Sequence, residues 1–334
     1  MNILGVVDVR NKEVRWGLAL FLAGILAFVA SLNLLFVVWL GGEPMLGSDS
    51  LSFMGWISGI ILVASLIQLL RFTRDGRRIS ASLGGVPLSQ FAGVSAKAKD
   101  KAVQLQNIVD ELAIAAGCRS PALYIQKGRD ELNGFACGIR PDHWCITVTE
   151  GCVKRLTRDE MQALIAHELA HLTSGDTRNS ILVCAYVAGL TSLALVGLLL
   201  AAAMAGKSKE GAAVALVGVV IAVTGGVGVI AANLLEARLS RRQEFRADAE
   251  GVRLTRHGDG MVALLVRLAE ESYGPQAKSG GWDVSWDGFC ARPLNFGRSV
   301  KSFWFDSHPP LIDRIRVFDP AAAEKVENMI SGRI

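Results

Sequence analysis

Thr157-Arg158-Asp159-Glu160-Met161-Gln162-Ala163-Leu164-Ile165-Ala166-His167-Glu168-Leu169-Ala170-His171 decides how this chain is read. Thr157 followed three residues later by Glu160 is a capping-box pattern and starts a helix. Met161, Leu164, Ile165 and Leu169 continue it at helical spacing, and Gly175 supplies the stop. On that helix His167 and His171 are four apart, so they share one face at about 40° from each other. Two imidazoles so placed reach one zinc ion at about 2.0–2.1 Å. Glu168, one position round, cannot chelate with the same geometry but reaches a water beside the metal. Hydrolysis needs this division of labour: the metal polarises a carbonyl and acidifies water, and a carboxylate carries the proton. A solvated pair of helix histidines is the bland alternative. The chain has only five histidines, and composition alone yields such a motif by accident about once in a few hundred chains. The apolar flank 161–166 also makes the helix at least half buried.

A catalytic zinc needs a third protein ligand and an open position. The candidate lies in Ser240-Arg241-Arg242-Gln243-Glu244-Phe245-Arg246-Ala247-Asp248. Glu244 and Asp248 share a helix face. One can ligate the metal while the other accepts the N–H of a ligating histidine. The arginines around them also permit a surface ion-pair ladder, and the pairing with His167 and His171 favours the metal.

The setting of these motifs follows from how charge is distributed. Of the 334 residues 51% are hydrophobic and 20% charged, with net charge +4 and six cysteines. This excludes a disordered chain, a coiled coil and a disulfide scaffold, and gives no reason to invoke nucleic acid. Four stretches, 16–42, 50–70, 179–206 and 211–235, contain no Asp, Glu, Lys or Arg and total 101 residues. The other 233 residues are about 28% charged, an ordinary soluble composition. Each stretch is long enough to cross a 30 Å hydrocarbon core. In the fourth, Gly218, Ala222 and Gly226 recur four apart, which suits close helix packing in lipid. The first stretch is longer than a signal-peptide core and is expected to stay as an anchor.

Arg10, Lys12 and Arg15 precede the first stretch, and Arg71, Arg74, Arg77 and Arg78 follow the second. The loop 43–49 between them has no basic residue. The positive-inside rule puts the N-terminus and the segment from Arg71 onward in the cytoplasm. The third and fourth stretches leave and return, and Lys207 and Lys209 in their turn weigh slightly against that orientation. The expected plan is a cytoplasmic N-terminus (1–15), membrane helices over 16–42, 50–70, 179–206 and 211–235, and one soluble domain in two parts, 71–178 and 236–334. The cysteines form no C-x-x-C pair and read as small, reduced, partly buried side chains.

Within the soluble part the pattern predicts a helix over 98–116 and short strands over 122–125, 133–137 and 146–149. The fold class expected is mainly α, with four transmembrane helices and a cytoplasmic α+β domain carrying a small sheet.

Further motifs identify a family. Gly175-Asp176 follows the histidine motif; Glu244-Phe245-Arg246-Ala247-Asp248 and Ser307-His308-Pro309-Pro310-Leu311-Ile312-Asp313-Arg314-Ile315 lie beyond the hairpin. With Asn133-Gly134-Phe135-Ala136, the chain resembles the HtpX-type membrane zinc metallopeptidases, whose wider family includes the CAAX prenyl endopeptidases. The likeness runs over most of 105–316, and Gly134 departs from the family's alanine. The resemblance implies a zincin-type fold with one zinc ion per chain on His167, His171 and Glu244, and Glu168 as general base. It implies Asp248 as support for a ligating histidine, with Asp176 divided between that role and helix-end support. Asn133, Gly134, Phe135 and Ala136 would form an edge strand beside the cleft, where an extended substrate adds as a further strand. His308 is placed near the catalytic centre, to polarise the substrate carbonyl, orient the cleft or pack. Arg314 is expected in a structural ion pair, and His143 and His257 at the surface.

The resemblance further implies an endopeptidase of membrane or unfolded proteins, acting in quality control at the cytoplasmic face of the bacterial inner membrane. Its partners are then protein or peptide substrates and the lipid bilayer. A non-catalytic scaffold is the competing class, disfavoured by the intact Glu168; a prenyl-protein endopeptidase is the nearest relative, with more membrane spans than four. A transporter is disfavoured because no charge lies within the four stretches. The Trp/Phe-rich region 280–305 suits a membrane interface, a substrate-gripping loop or core packing.

Overall fold

A computed structural model describes residues 76–92, 96–206, 209–273 and 309–332, together with Gly59, Val63 and Ile67. The expected spans 16–42 and 50–70, apart from those three positions, lie outside the described residues, as do His308 and the region 280–305.

The order of elements is α1 (Gly76–Ser82), β1 (Gly85–Pro87), α2 (Leu88–Ala92), α3 (Ala96–Ala116), β2 (Ala122–Gln126), β3 (Gly134–Cys137), a 3-10 turn (Pro141–His143), β4 (Cys145–Thr149), α4 (Glu150–Arg155), α5 (Arg158–Thr173), α6 (Asp176–Met204), α7 (Lys209–Thr255), α8 (Gly258–Tyr273), α9 (Leu311–Phe318) and α10 (Pro320–Ser331). The chain divides into two units, one of 1–69 with 183–233, the other of 70–182 with 234–334.

The second unit holds a four-stranded sheet in the order β1-β2-β4-β3, mainly surrounded by helices. β2 and β4 run parallel, whereas β1 on β2 and β3 on β4 run antiparallel. Period-two alternation sorts the side chains. Leu123, Ile125, Ile146 and Val148 point to one face and join Leu105, Ile108, Leu112, Leu164, Ile165 and Leu169 of α3 and α5 in the main core. Cys137 and Cys145 point to the other face, against Ile79 of α1. There Thr147 Oγ1 is satisfied by Ser80 Oγ at 2.8 Å, as a buried hydroxyl requires. Three strands match the expected segments to within a residue. The fourth, β1, has only three residues, too few to show a period. Cys137 and Cys145 lie opposite each other across β3 and β4 and are free thiols, a proximity their spacing in sequence does not reveal.

Helix α5 begins as its sequence demands. Thr157 accepts from the Glu160 amide and the Glu160 carboxylate accepts from the Thr157 amide, a complete capping box. The helix ends at Ser174, and Gly175 follows at φ +75°, a left-handed conformation that glycine adopts without strain.

In the first unit, α6 and α7 meet antiparallel through small residues. A Cβ on Gly197 would lie 2.5 Å from the Ala222 nitrogen, one on Gly218 2.5 Å from the Ala201 nitrogen, and one on Gly225 2.7 Å from the Ala194 nitrogen. The close seam therefore uses Gly218, Ala222 and Gly225. Gly226 faces open space, which corrects the four-residue repeat: a straight α-helix turns 100° per residue, so the seam takes a three-residue step. Leu195, Leu198, Leu199, Val219, Val223, Val227 and Ile230 of this hairpin are exposed. Among the described residues no helix is long and apolar enough to cross a membrane.

Candidate metal centre

Four helices supply the site, α6 through its first residue, Asp176. Helix α5 carries His167, Glu168 and His171, α7 carries Glu244 and Asp248, and α9 carries Arg314. α5 is held by the core beneath it, so the motif is buried: His167 is 3% and Glu168 5% exposed. Gly251 lets α7 pass close to α5. A Cβ there would stand 3.4 Å from the backbone nitrogen of His167 and 2.7 Å from Met261 Cε. Gly251 follows Glu244 by seven and Asp248 by three, so the three share one helix face.

The two histidines converge. Their Nε2 atoms lie 3.1 Å apart and their rings are edge-on at 87°. Glu244 approaches both, with Oε2 3.5 Å from His167 Nε2 and Oε1 3.5 Å from His171 Nε2. One donor atom from each of the three residues falls within a 4.8 Å group. Ligand atoms of a tetrahedral ion at about 2.0–2.1 Å stand about 3.3 Å apart, so the trio fits a zinc ion. Two histidines and a carboxylate are also a zinc-type donor set.

The far side of each imidazole is occupied. His167 Nδ1 lies 2.8 Å from Asp248 Oδ1, and His171 Nδ1 lies 3.1 Å from Asp176 Oδ2. Each carboxylate is itself held by an arginine. Arg314 donates from Nε to Asp248 Oδ2 at 2.7 Å and from Nη2 to Oδ1 at 2.6 Å. Arg246 donates to Asp176 Oδ2. Two chains of histidine, aspartate and arginine thus run outward from the centre. They fix each ring with Nε2 facing inward, the arrangement that orients metal-binding histidines.

Charge tells the same story. Glu168, Asp176, Glu244 and Asp248 face Arg246 and Arg314, which leaves a buried excess of two negative charges. Burial pushes the His171 imidazole down, but Asp176 and Glu244 outweigh it and lift its pKa to about 10. His167 is raised by the same contest, burial against Asp248 and Glu244. Burial pushes Asp248 and Asp176 up; Arg314 with His167, and His171 with Arg246, hold them below the usual carboxylate range. A divalent cation would offset that excess of buried negative charge.

The remaining sequence candidates lie as follows. Asn133 precedes β3 and is half-buried; its carbonyl accepts from the Thr149 amide at 2.9 Å. Gly134, Phe135 and Ala136 lie in β3, one of the two outer strands of the sheet among the described residues, which packs on α5. Arg314 makes an ion pair, as the sequence suggested, but a fully buried one inside the site. Arg246 and Gly251 carried no distinguishing signal in sequence, because their partners are remote from them along the chain. His257 is exposed, 3.6 Å from Asp159. His143 is half-buried rather than at the surface, drawn in by the tight 3-10 turn it ends.

A histidine-histidine-glutamate centre with a glutamate beside it, set on a buried helix against a small sheet, defines a metallopeptidase. The family model Peptidase family M48 matches residues 99–321. The chain is 32% identical to a Protease HtpX homolog of Listeria monocytogenes serotype 4b (strain CLIP80459) over 247 residues, covering 69% of this chain and 75% of that one. It is 29% identical to a Protease HtpX homolog of Thermoanaerobacter pseudethanolicus over 277 residues, covering 79% and 85%. The crystal structure of S. mikatae Ste24p aligns with TM-score 0.47 and 16% identity, over 94% of this chain and 66% of that one. The chain belongs to peptidase family M48. It is a metalloprotease, and its substrates are proteins or peptides.

Proposed function

We propose that the chain is an integral membrane zinc endopeptidase that cleaves membrane or unfolded proteins at the cytoplasmic face of the bacterial inner membrane, in protein quality control. The convergence of His167, His171 and Glu244 within 4.8 Å, with Glu168 on the same helix, carries this reading. In it the three residues hold one zinc ion, and Glu168 is the catalytic base. The ion, when bound, supplies a Lewis acid that polarises the scissile carbonyl and makes water acidic near neutral pH.

The protein's own groups do the rest. Glu168 takes the proton of the attacking water on its carboxylate and returns it to the leaving amine nitrogen. Asp248 and Asp176 hold the imidazoles in the tautomer that keeps Nε2 inward. The edge of β3 that carries no further strand among the described residues would offer backbone N–H and C=O groups to an extended substrate. Asn133, Gly134, Phe135 and Ala136 therefore read backbone more than side chain, which suits a protease of broad range. His308 is assigned to the substrate carbonyl or the orientation of the cleft.

The membrane assignment rests on the four charge-free stretches and on the exposed apolar side chains of the α6–α7 hairpin. Apolar side chains exposed in this number are stable in lipid and a liability in water. Because His171 and Glu244 lie within about ten residues of the third and fourth stretches along the chain, the site is expected near the bilayer surface.

The test is cleavage of an unfolded model protein by the detergent-purified full chain. A chelator should abolish it and added zinc should restore it. Cleavage that survives metal removal would contradict the proposal.

A further inference from the structure

Arg314 does more than the ion pair expected of it. Its side chain is 2% exposed. Two nitrogens, Nε and Nη2, are taken by the Asp248 carboxylate. The third, Nη1, lies 3.0 Å from Glu244 Oε2. One rigid guanidinium therefore touches both the carboxylate that orients His167 and the carboxylate offered as third ligand. Glu244 Oε1 lies 3.5 Å from His171 Nε2 and Oε2 3.5 Å from His167 Nε2, but only Oε2 also meets the guanidinium.

The two oxygens of Glu244 are thus not equivalent. A glutamate with both oxygens free can bind zinc through both, and the second bond would occupy the position that water or substrate needs. An oxygen already facing a fixed, fully buried positive charge is a poorer ligand than its twin. We propose that Arg314 is a positioning residue that engages Oε2 of Glu244, so that Glu244 ligates the metal through Oε1 alone and the fourth position stays open. The fork geometry is essential, since a lysine offers one point charge and cannot hold Asp248 in two places while facing Glu244. The contact also makes completion of the centre depend on α9, a helix 66 residues beyond Asp248 in the chain.

This inference rests on the metal centre proposed above, and the experiment separates the two. Full-length wild type, Arg314→Gln and Arg314→Lys are purified in detergent, stripped and loaded with cobalt(II), whose visible bands are intense when four-coordinate and weak when five- or six-coordinate. Zinc affinity is measured by chelator competition, and folding by circular dichroism and thermal melting. Wild type should give the intense four-coordinate spectrum. Arg314→Gln should give weak higher-coordinate bands and bind zinc about ten- to a hundredfold less tightly. Arg314→Lys should fold and show the same spectral change. A role confined to holding α9 in place would lower the melting temperature and leave the spectrum unaltered. A wild-type spectrum and affinity in folded Arg314→Gln, or in Arg314→Lys if the first variant does not fold, would overturn the inference alone. Failure of wild type to bind either metal would overturn the metal centre, and the inference with it.

Discussion

At the scale of the residue, the site is an exercise in keeping buried charges accounted for. Asp176 meets both the His171 ring and Arg246 through the same oxygen, Oδ2. Removing its charge leaves His171 free to turn and Arg246 with one partner fewer. Asp176→Asn should lower zinc affinity about ten- to a hundredfold while leaving the fold intact, read by chelator competition on the detergent-purified protein. An affinity within twofold of wild type would remove Asp176 from the site. The closeness of the two histidines was legible in sequence because they sit on one face of one helix; Glu244 lies on a different helix, and helical geometry alone could not bring it to them. That Asp248 shares a face with Glu244 was legible from their four-residue spacing, but the spacing did not say which of the two would ligate. Arg314 and Arg246 were not recognised as site residues: each acts across a tertiary contact, Arg314 66 residues from its partner and Arg246 70 from its own, and an arginine among arginines carries no local mark.

Elements obey the same division between local and remote causes. The start of α5 was readable because the capping box is a contact between residues three apart. The strands β2, β3 and β4 were readable from β-branched and apolar runs bounded by turns. β1 was not, because three residues carry no period and its place depends on pairing with β2. The α6–α7 seam was half readable: small residues announced it, but only packing selects Gly225 over Gly226. Gly134 gives a test at this scale. A Cβ there would meet Leu164 Cδ1 at 3.4 Å and the Thr147 oxygen at 3.5 Å, ordinary contact distances in a pocket that accepts a methyl group. Gly134→Ala should therefore stabilise the protein by about 0.4–1 kcal/mol, by restricting the unfolded chain. Its thermal midpoint, measured in the Glu168→Gln background to prevent self-cleavage, should rise. A fall would mean that β3 needs the glycine's backbone freedom.

For the molecule as a whole, the chain order has a physical logic. The second unit is assembled from 70–182 and 234–334, with 183–233 inserted between the ligand-bearing segments. Two residues of the centre come from before that excursion and one from after it. In the orientation read from basic residues, a reporter fused after Gly42 should behave as external and one fused after Arg78 as cytoplasmic. The reverse pattern would move the active site to the other side of the membrane.

The central claim is that Glu168 moves the proton at a metal centre made by His167, His171 and Glu244. Its most direct test compares wild type with Glu168→Gln, purified in detergent, for bound zinc and for cleavage of an unfolded model protein. Glutamine keeps the shape of the side chain and removes only its basicity, so both proteins should bind one zinc ion per chain and only wild type should cleave, with Glu168→Gln at least a hundredfold slower. Stoichiometric zinc with undiminished cleavage in Glu168→Gln would show that the proton is carried elsewhere, and folded wild type that binds no zinc would contradict the account at its root.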